Sequence, residues 1–284
     1  MKQFPRTKVE DVSLSRYLIG SNWLLGWSHT GPAADAQIKE RFDTPEKFIP
    51  ILETYLAYGI DSIMAPFGDA PNLVRAIKET EQKTGHGIIM VDTPFVDVSN
   101  TKEGYAAAEK MIRESGERGA KICLIHHASA EKLVDKNEEV LHRLGDYTSM
   151  IREAGMVPGL SAHMPELVVY SDQNNYDIQT YIQIFNCMGF LMQVEIESVA
   201  RIIHSAKKPV MTIKPMAAGR CTPYVGLTFS WNAIRDCDMV TVGAGSAAEA
   251  LEDIEYSFAA LEHRYPDVGA RSSPVNNQAA FGIK

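Results

Sequence analysis

Short apolar runs alternate with amphipathic segments along almost the whole chain. Such runs are typical of parallel strands covered by helices. They predict strands over residues 17–26, 60–68, 86–95, 121–129, 156–163, 177–186, 209–220 and 238–245. The amphipathic segments predict helices over residues 44–59, 71–85, 101–120, 138–155, 194–208, 223–237 and 246–264, with a short helix at 165–175. The first of these segments begins Thr-Pro and ends in glycine, which are usual helix start and stop signals.

Eight strand–helix pairs within about 250 residues match a (β/α)₈ barrel in number and size. A doubly wound α/β sheet is the alternative, but it usually carries a glycine fingerprint after its first strand. Here that position reads GSNWLLGWSHTG, without the GxGxxG spacing. We therefore predict an α/β fold with one (β/α)₈ barrel domain over residues 1–284, and a loose tail from about residue 266.

Composition narrows the class of protein further. The 284 residues are 45% hydrophobic, and the formal net charge is −8 with a pI of about 5.5. No basic run suits nucleic acid, and the acidic balance gives no attraction to anionic lipid. No signal-peptide core, membrane-length apolar run or CxxC spacing occurs. We expect a cytoplasmic protein with a small-molecule substrate and without nucleic-acid or membrane partners, and a homo-oligomer stays open.

Barrel enzymes carry their chemistry at the carboxyl ends of the strands. Polar residues at the predicted strand ends or in the loops that follow are Asn22, His29, Asp92, His126, His127, His163, Asn186, Lys214, Arg220 and Ser246. Successive side chains of a strand point to opposite faces. If Ile122 and Leu124 line the barrel, His126 points into its mouth and His127 towards the helices or the rim.

Three imidazoles at one mouth are a common way to hold a divalent metal ion. We expect His29, His126 and His163 to be ligands of zinc, manganese or iron, although no HxH or HExxH spacing occurs. Asp92, in MVDTP, is a further candidate ligand or general base. Its structural alternative is a turn aspartate before Pro94.

A lysine inside an apolar strand is costly to bury unless it is paired or used. Lys214 is expected to hold an anionic substrate group, or to form a Schiff base if desolvation lowers its pKa. A carboxylate on a neighbouring strand is the structural alternative. Substrate contacts are expected from Asn22, Asn186, Arg220 and Ser246. Ser246 with Glu249 also forms a capping box, whose free amides could bind an anion.

Four segments of the second half resemble the aldo/keto reductase superfamily: LIHHAS, GLSAHMPELV, IKPMAAGR and TVGAGSAAEALEDIE. The resemblance implies a barrel fold and an NAD(P)H-dependent carbonyl reduction. It also implies that His126 occupies the place of the catalytic histidine, and that NADP phosphate lies near Ser246 and Arg220.

The family's catalytic tyrosine and lysine are missing from this chain. The second predicted strand runs IDSIMAPFGDA, with Phe67 and no tyrosine, and Asp61 begins that strand at the wrong end for catalysis. Asp92 stands where the lysine is expected. We therefore put first a metal-assisted lyase, isomerase or hydrolase acting on a sugar or hydroxy acid, with His126, Asp92 and Lys214 catalytic. An NAD(P)H-dependent reductase and a non-catalytic binding protein are the alternatives.

Overall fold

Eight parallel strands close into a barrel in the computed structural model, which describes residues 2–268. The strands are β1 (Arg6–Val9), β2 (Val12–Ser15), β3 (Tyr17–Gly20), β4 (Ser62–Ala65), β5 (Ile89–Asp92), β6 (Ile122–Ile125), β7 (Val134–Asp135), β8 (Val140–Leu141), β9 (Val157–Ala162), β10 (Tyr181–Ile184), β11 (Val210–Ile213) and β12 (Met239–Val242). Around the barrel the order is β3, β4, β5, β6, β9, β10, β11, β12, and β12 pairs with β3. The predicted (β/α)₈ barrel is confirmed, whereas the expected tail lies almost entirely outside the described residues.

The α-helices connect successive barrel strands. They are α1 (Asn22–Leu25), α2 (Pro32–Arg41), α3 (Ile49–Ala57), α4 (Pro71–Thr84), α5 (Lys102–Arg118), α6 (His127–Ala130), α7 (Leu144–Glu153), α8 (Glu166–Gln173), α9 (Ile196–Ser205), α10 (Pro223–Ala233) and α11 (Ala247–Leu261). The long first loop contains α1 and α2, which the sequence pattern did not predict. The helix expected over 138–155 is shorter, because the hairpin β7–β8 precedes it and α7 begins only at Leu144.

An antiparallel hairpin, β1–β2, closes the amino-terminal end of the barrel. Its Val9 and Leu14 are fully buried and pack in one cluster with the side chains that fill the barrel interior. Those interior residues are Leu18, Met64, Val91, Ile122, Leu124, Val157, Ile182, Met211 and Met239. Because apolar side chains fill this end and the centre, the carboxyl-terminal end of the barrel is left for polar groups.

Asp61 holds the hairpin in place from the start of β4. Its carboxylate pairs with Arg6, with Nη2 and Oδ2 2.9 Å apart, and accepts a hydrogen bond from the Ser15 amide at 3.3 Å. Asp61 therefore lies at the end of the barrel opposite to the mouth, as its place in the sequence indicated.

No helix within residues 2–268 is both long enough and apolar enough to cross a bilayer.

The tight barrel interior gives a first prediction. A Cβ added at Gly159 on β9 would lie 2.5 Å from Leu124 Cγ, whereas one at Gly145 on α7 meets nothing within 4 Å. Gly159→Ala is expected to destabilise the protein by about 1–3 kcal/mol through overpacking. Gly145→Ala is the matched control and should stabilise it by about 0.4–1 kcal/mol. Chemical denaturation of both variants measures this, and a Gly159→Ala variant as stable as wild type would contradict the packing described.

Candidate active site

A cavity of about 770 Å³ opens at the carboxyl ends of the barrel strands. This volume is typical of small-molecule sites. Six of the residues expected at the mouth line it: Asn22, His29, His126, His163, Lys214 and Arg220. The topology thus brings together side chains that are far apart in the sequence, although their chemical roles stay predictions.

Lys214 follows the last residue of β11 and is the most unusual side chain of the cavity. Its Nζ lies 2.9 Å from His29 Nε2, and no carboxylate of the described residues forms an ion pair with it. Burial lowers the pKa of Lys214 to about 8. Burial and the nearby Lys214 also lower the pKa of His29, so that its ring is neutral at pH 7 and accepts a hydrogen bond from the ammonium group.

The loop that carries Lys214 is strained. Lys214, Ala217 and Ala218 all have positive φ, at 62°, 50° and 56°. Such conformations cost non-glycine residues on the order of 1–3 kcal/mol each and are concentrated at functional sites. Arg220 ends this loop, with its guanidinium carbon 3.9 Å from the centre of the Phe190 ring. The Arg220 guanidinium also donates to the Ala217 carbonyl within the loop and to the His29 carbonyl, which joins this loop to the first one.

His126 caps the short helix α6 and lines the cavity. Its Nδ1 accepts a hydrogen bond from the Ala128 amide at 3.2 Å, and its ring centre lies 3.8 Å from that of Phe95. Burial, and secondarily the neighbouring His127, lower the pKa of His126 to about 4. Because Nδ1 accepts, the neutral ring carries its proton on Nε2 and is a hydrogen-bond donor there.

His127 also lines the cavity, contrary to the expectation that it would face the helices or the rim. The strand alternation ends at Ile125, and the chain turns at once into α6, so the rule no longer applies. The His127 ring stacks on His163 with ring centres 3.5 Å apart. Burial and the nearby His127 lower the pKa of His163 to about 3.

The expected metal shell is not assembled from the three predicted histidines. The structure groups His163 with His127 and Glu131, whereas His29 pairs with Lys214 and His126 caps α6. Glu131 is the residue that sequence reasoning missed. The available signal was the four-residue spacing from His127, which places two side chains on one face of a helical segment.

Three expected site residues do not line the cavity. Asp92 is fully buried and faces the helices, because the preceding Val91 occupies the interior position. Its carboxylate accepts hydrogen bonds from the Phe67 amide and the Ser115 hydroxyl, and it pairs with Arg118 at 3.3 Å. Asp92 therefore ties β5 to α5 and to the loop after β4.

Asn186 and Ser246 shape loops beside the cavity. The Asn186 side chain is fully buried and bonds the backbone of Met188 and Phe190. Ser246 Oγ accepts from the Glu249 amide at 3.1 Å, which is one half of the predicted capping box. The Glu249 carboxylate accepts from the amide of Gly245, the residue before the N-cap, at 2.8 Å.

Comparisons with solved structures agree on the fold. A putative aldo-keto reductase from Pseudomonas aeruginosa matches with a TM-score of 0.63 and 12% identity, over 90% of this chain and 95% of that one. A glycerol dehydrogenase from Gluconobacter oxydans gives 0.61 and 11%, over 95% and 99%. An aldose reductase from Giardia lamblia gives 0.55 and 12%, over 94% and 90%. The chain has an aldo/keto reductase-like barrel.

This likeness concerns the fold alone, since the identities are so low. No protein-family model matches the chain. No curated protein matches it either. Because one fold hosts many different reactions, the likeness by itself does not decide between an oxidoreductase and metal-assisted lyase chemistry. At residue level, none of the described residues that line the cavity is a tyrosine.

The histidine environments give a second prediction. His126 and His163 are expected to stay neutral at pH 6, with pKa values of about 4 and 3, because burial disfavours the imidazolium form. Unfolding releases this constraint, so stability should fall as the pH drops below about 6.5, where the unfolded rings take up protons. Nitrogen-15 NMR of the rings measures the charge and the tautomer, with His126 protonated on Nε2. An imidazolium signal from either residue at pH 6 would overturn the assignment.

Proposed function

We propose that the protein is a nicotinamide-dependent oxidoreductase that reduces a small polar carbonyl compound, such as a sugar aldehyde or a keto acid. Lys214 is the proton donor that replaces the missing tyrosine. The observation that carries the proposal is the Lys214 ammonium, which is desolvated in the cavity, lies 2.9 Å from His29 and has a pKa of about 8. A general acid works best when its pKa is close to the working pH.

Each side chain at the site has a separate role in the proposed reduction. The cofactor, when bound, supplies a hydride to the carbonyl carbon. Lys214 donates a proton to the carbonyl oxygen, and His29 holds the ammonium group by accepting one of its hydrogens. His126 donates a hydrogen bond from Nε2, since the Ala128 amide occupies its Nδ1. Two donors on one oxygen stabilise the negative charge that develops there.

The residues at the start of α11 affect whether NADH or NADPH fits the cavity better. The Gly245 amide donates a hydrogen bond to the Glu249 carboxylate, and Glu249 also lines the cavity. Carboxylates accept hydrogen bonds from ribose hydroxyls but repel a 2′-phosphate. Arg41 partly offsets this charge, because it donates to the Gly245 carbonyl at 3.0 Å. These groups favour NADH over the NADPH that the resemblance implied, and no phosphate contact with Ser246 is invoked.

The third prediction tests the proton donor. With a panel of small aldehydes and hydroxy ketones, NADH oxidation should be measurable, and kcat/KM should decline above about pH 8 as Lys214 loses its proton. Lys214→Met should lower kcat by about 100-fold or more, since general acid catalysis contributes roughly 10²–10⁴-fold. Lys214→Arg keeps the charge but holds its proton too tightly, so it should bind cofactor and fail in catalysis.

A control variant separates this effect from a general loss of positive charge. Lys110 is exposed on α5 and pairs only loosely with Glu114, at 3.8 Å, so Lys110→Met should behave as wild type. Absence of both NADH and NADPH binding at millimolar concentration would remove the proposal. Full activity of Lys214→Met would remove the role of Lys214 alone.

A second candidate function rests on the same amine. With a pKa of about 8 and no carboxylate partner among residues 2–268, a fraction of Lys214 is the neutral nucleophile at pH 7.5. A neutral amine can attack a carbonyl and form an imine, as in lyases that cleave or join carbon–carbon bonds. The cavity offers His126 and His163 as neutral acid–base groups beside it.

The fourth prediction distinguishes imine formation from reduction. If Lys214 forms an imine, sodium borohydride added with a small aldehyde or ketone should fix one substrate-sized adduct, and peptide mass spectrometry should place it on Lys214. Lys214→Arg should give none, while Lys110→Met should give the wild-type amount. Labelling spread over the exposed lysines would contradict imine formation at Lys214. It would leave the reductase proposal unaffected.

A further inference from the structure

A second polar group lies at the same cavity, where His127 and His163 line the wall and Glu131 lies beside them. One nitrogen or oxygen of each side chain lies within 4.8 Å of the others. We propose that these three residues bind a divalent transition-metal ion, with zinc as the representative ion. The proposal is independent of the oxidoreductase function, because it concerns ion binding alone.

The fold explains why these residues meet. His127 begins α6, and Glu131 follows four residues later, so both lie on one face of the helical segment. His163 follows β9, which pairs with β6, the strand that leads into α6. The Glu131 carboxylate is fixed in this corner, because its Oε1 accepts hydrogen bonds from the amides of His163 and Met164 at 2.9 and 3.0 Å.

An unpartnered nitrogen supports ion binding here. His127 Nδ1 is buried, lacks a hydrogen-bond partner among the described residues, and lies 3.8 Å from Glu131 Oε1. A buried polar atom without a partner is unfavourable, because its interaction with water is lost and not replaced. A metal ion bound to this nitrogen would replace that interaction.

The ring geometry requires one small adjustment. The His127 and His163 rings are nearly parallel, with 16° between their planes and 3.5 Å between their centres. Each nitrogen lone pair lies in the plane of its own ring, so one ring must rotate about its χ2 for both to reach one ion. Ion binding should therefore open this stack.

The donor set defines the class of ion. Two imidazoles and one carboxylate bind zinc or ferrous iron and leave coordination positions open. His127 and His163 line the cavity, so an open position there would be accessible to a small molecule. The Lys214 ammonium opposes a cation, and the Glu131 carboxylate compensates for it.

The fifth prediction is tested by calorimetric titration of the chelator-treated full chain with Zn²⁺. Wild type should bind one ion, and His127→Ala, Glu131→Gln and His163→Ala should each weaken binding by more than about 100-fold, because even partners that only orient a ligand contribute roughly 10–100-fold. His142→Ala is the matched control. His142 lies in an exposed cluster with Asp135 and Glu138, and its loss should leave the cavity affinity unchanged.

Cobalt(II) provides a second measurement, because cysteine thiolates also bind zinc. Cys187 and Cys221 lie nearby, with their sulfur atoms 3.9 Å apart, and Cys221 lines the cavity. Nitrogen and oxygen ligands should give only weak visible bands, whereas a strong near-ultraviolet thiolate band would overturn the proposal. Unchanged zinc affinity in the histidine variants would also overturn it. If a melting curve shows that His127→Ala is unfolded, Glu131→Gln and His163→Ala decide the question.

Discussion

The alternation of side chains along the barrel strands decides which polar groups reach the cavity. Leu18, Val91 and Leu124 fill the interior, and each of them fixes the direction of the residues that follow it. On β5, Val91 inside turns Asp92 outward to Ser115 and Arg118. On β6 the alternation ends after Leu124 and Ile125, and both His126 and His127 line the cavity. Since a shift of β5 by one residue would turn Asp92 into the barrel, the packed interior determines which strand side chains reach the mouth.

Desolvation is the second constraint, and it disfavours the charged forms of buried bases at the mouth. Burial lowers the pKa values of Lys214, His126 and His163 to about 8, 4 and 3. The imidazoles of His126 and His163 are therefore neutral at pH 7 and offer lone pairs and N–H groups but little charge. An ammonium in such surroundings lacks the compensation that a carboxylate would give, so it favours a substrate with a partly negative oxygen. This environment suits a carbonyl group better than a cationic substrate.

The sequence predicted the regular part of the molecule and the outline of the site. Apolar runs and helix caps sufficed for the eight barrel strands, because parallel strands bury both faces. The hairpin β1–β2 was missed, since RTKVEDVSLS is mostly polar and only Val9 and Leu14 reach the interior. His127 was misplaced because the end of β6 could not be located from periodicity, and Glu131 was overlooked for the same reason. The contact between His29 and Lys214 joins two loops that are far apart in the sequence. A single sequence does not reveal such a pairing.

The position of Lys214 also limits what the shared fold implies about substrates. In aldo/keto reductases the proton donor follows the second barrel strand, which corresponds here to β4, whereas Lys214 follows β11. In the closed barrel these two strands are separated by β12 and β3. The proton donor proposed above, Lys214, therefore lies on another side of the cavity than the donor of those reductases. The proposal thus requires that the carbonyl is held in a different orientation, between Lys214 and the neutral His126. For this reason the proposal does not take over the substrate preferences of those reductases.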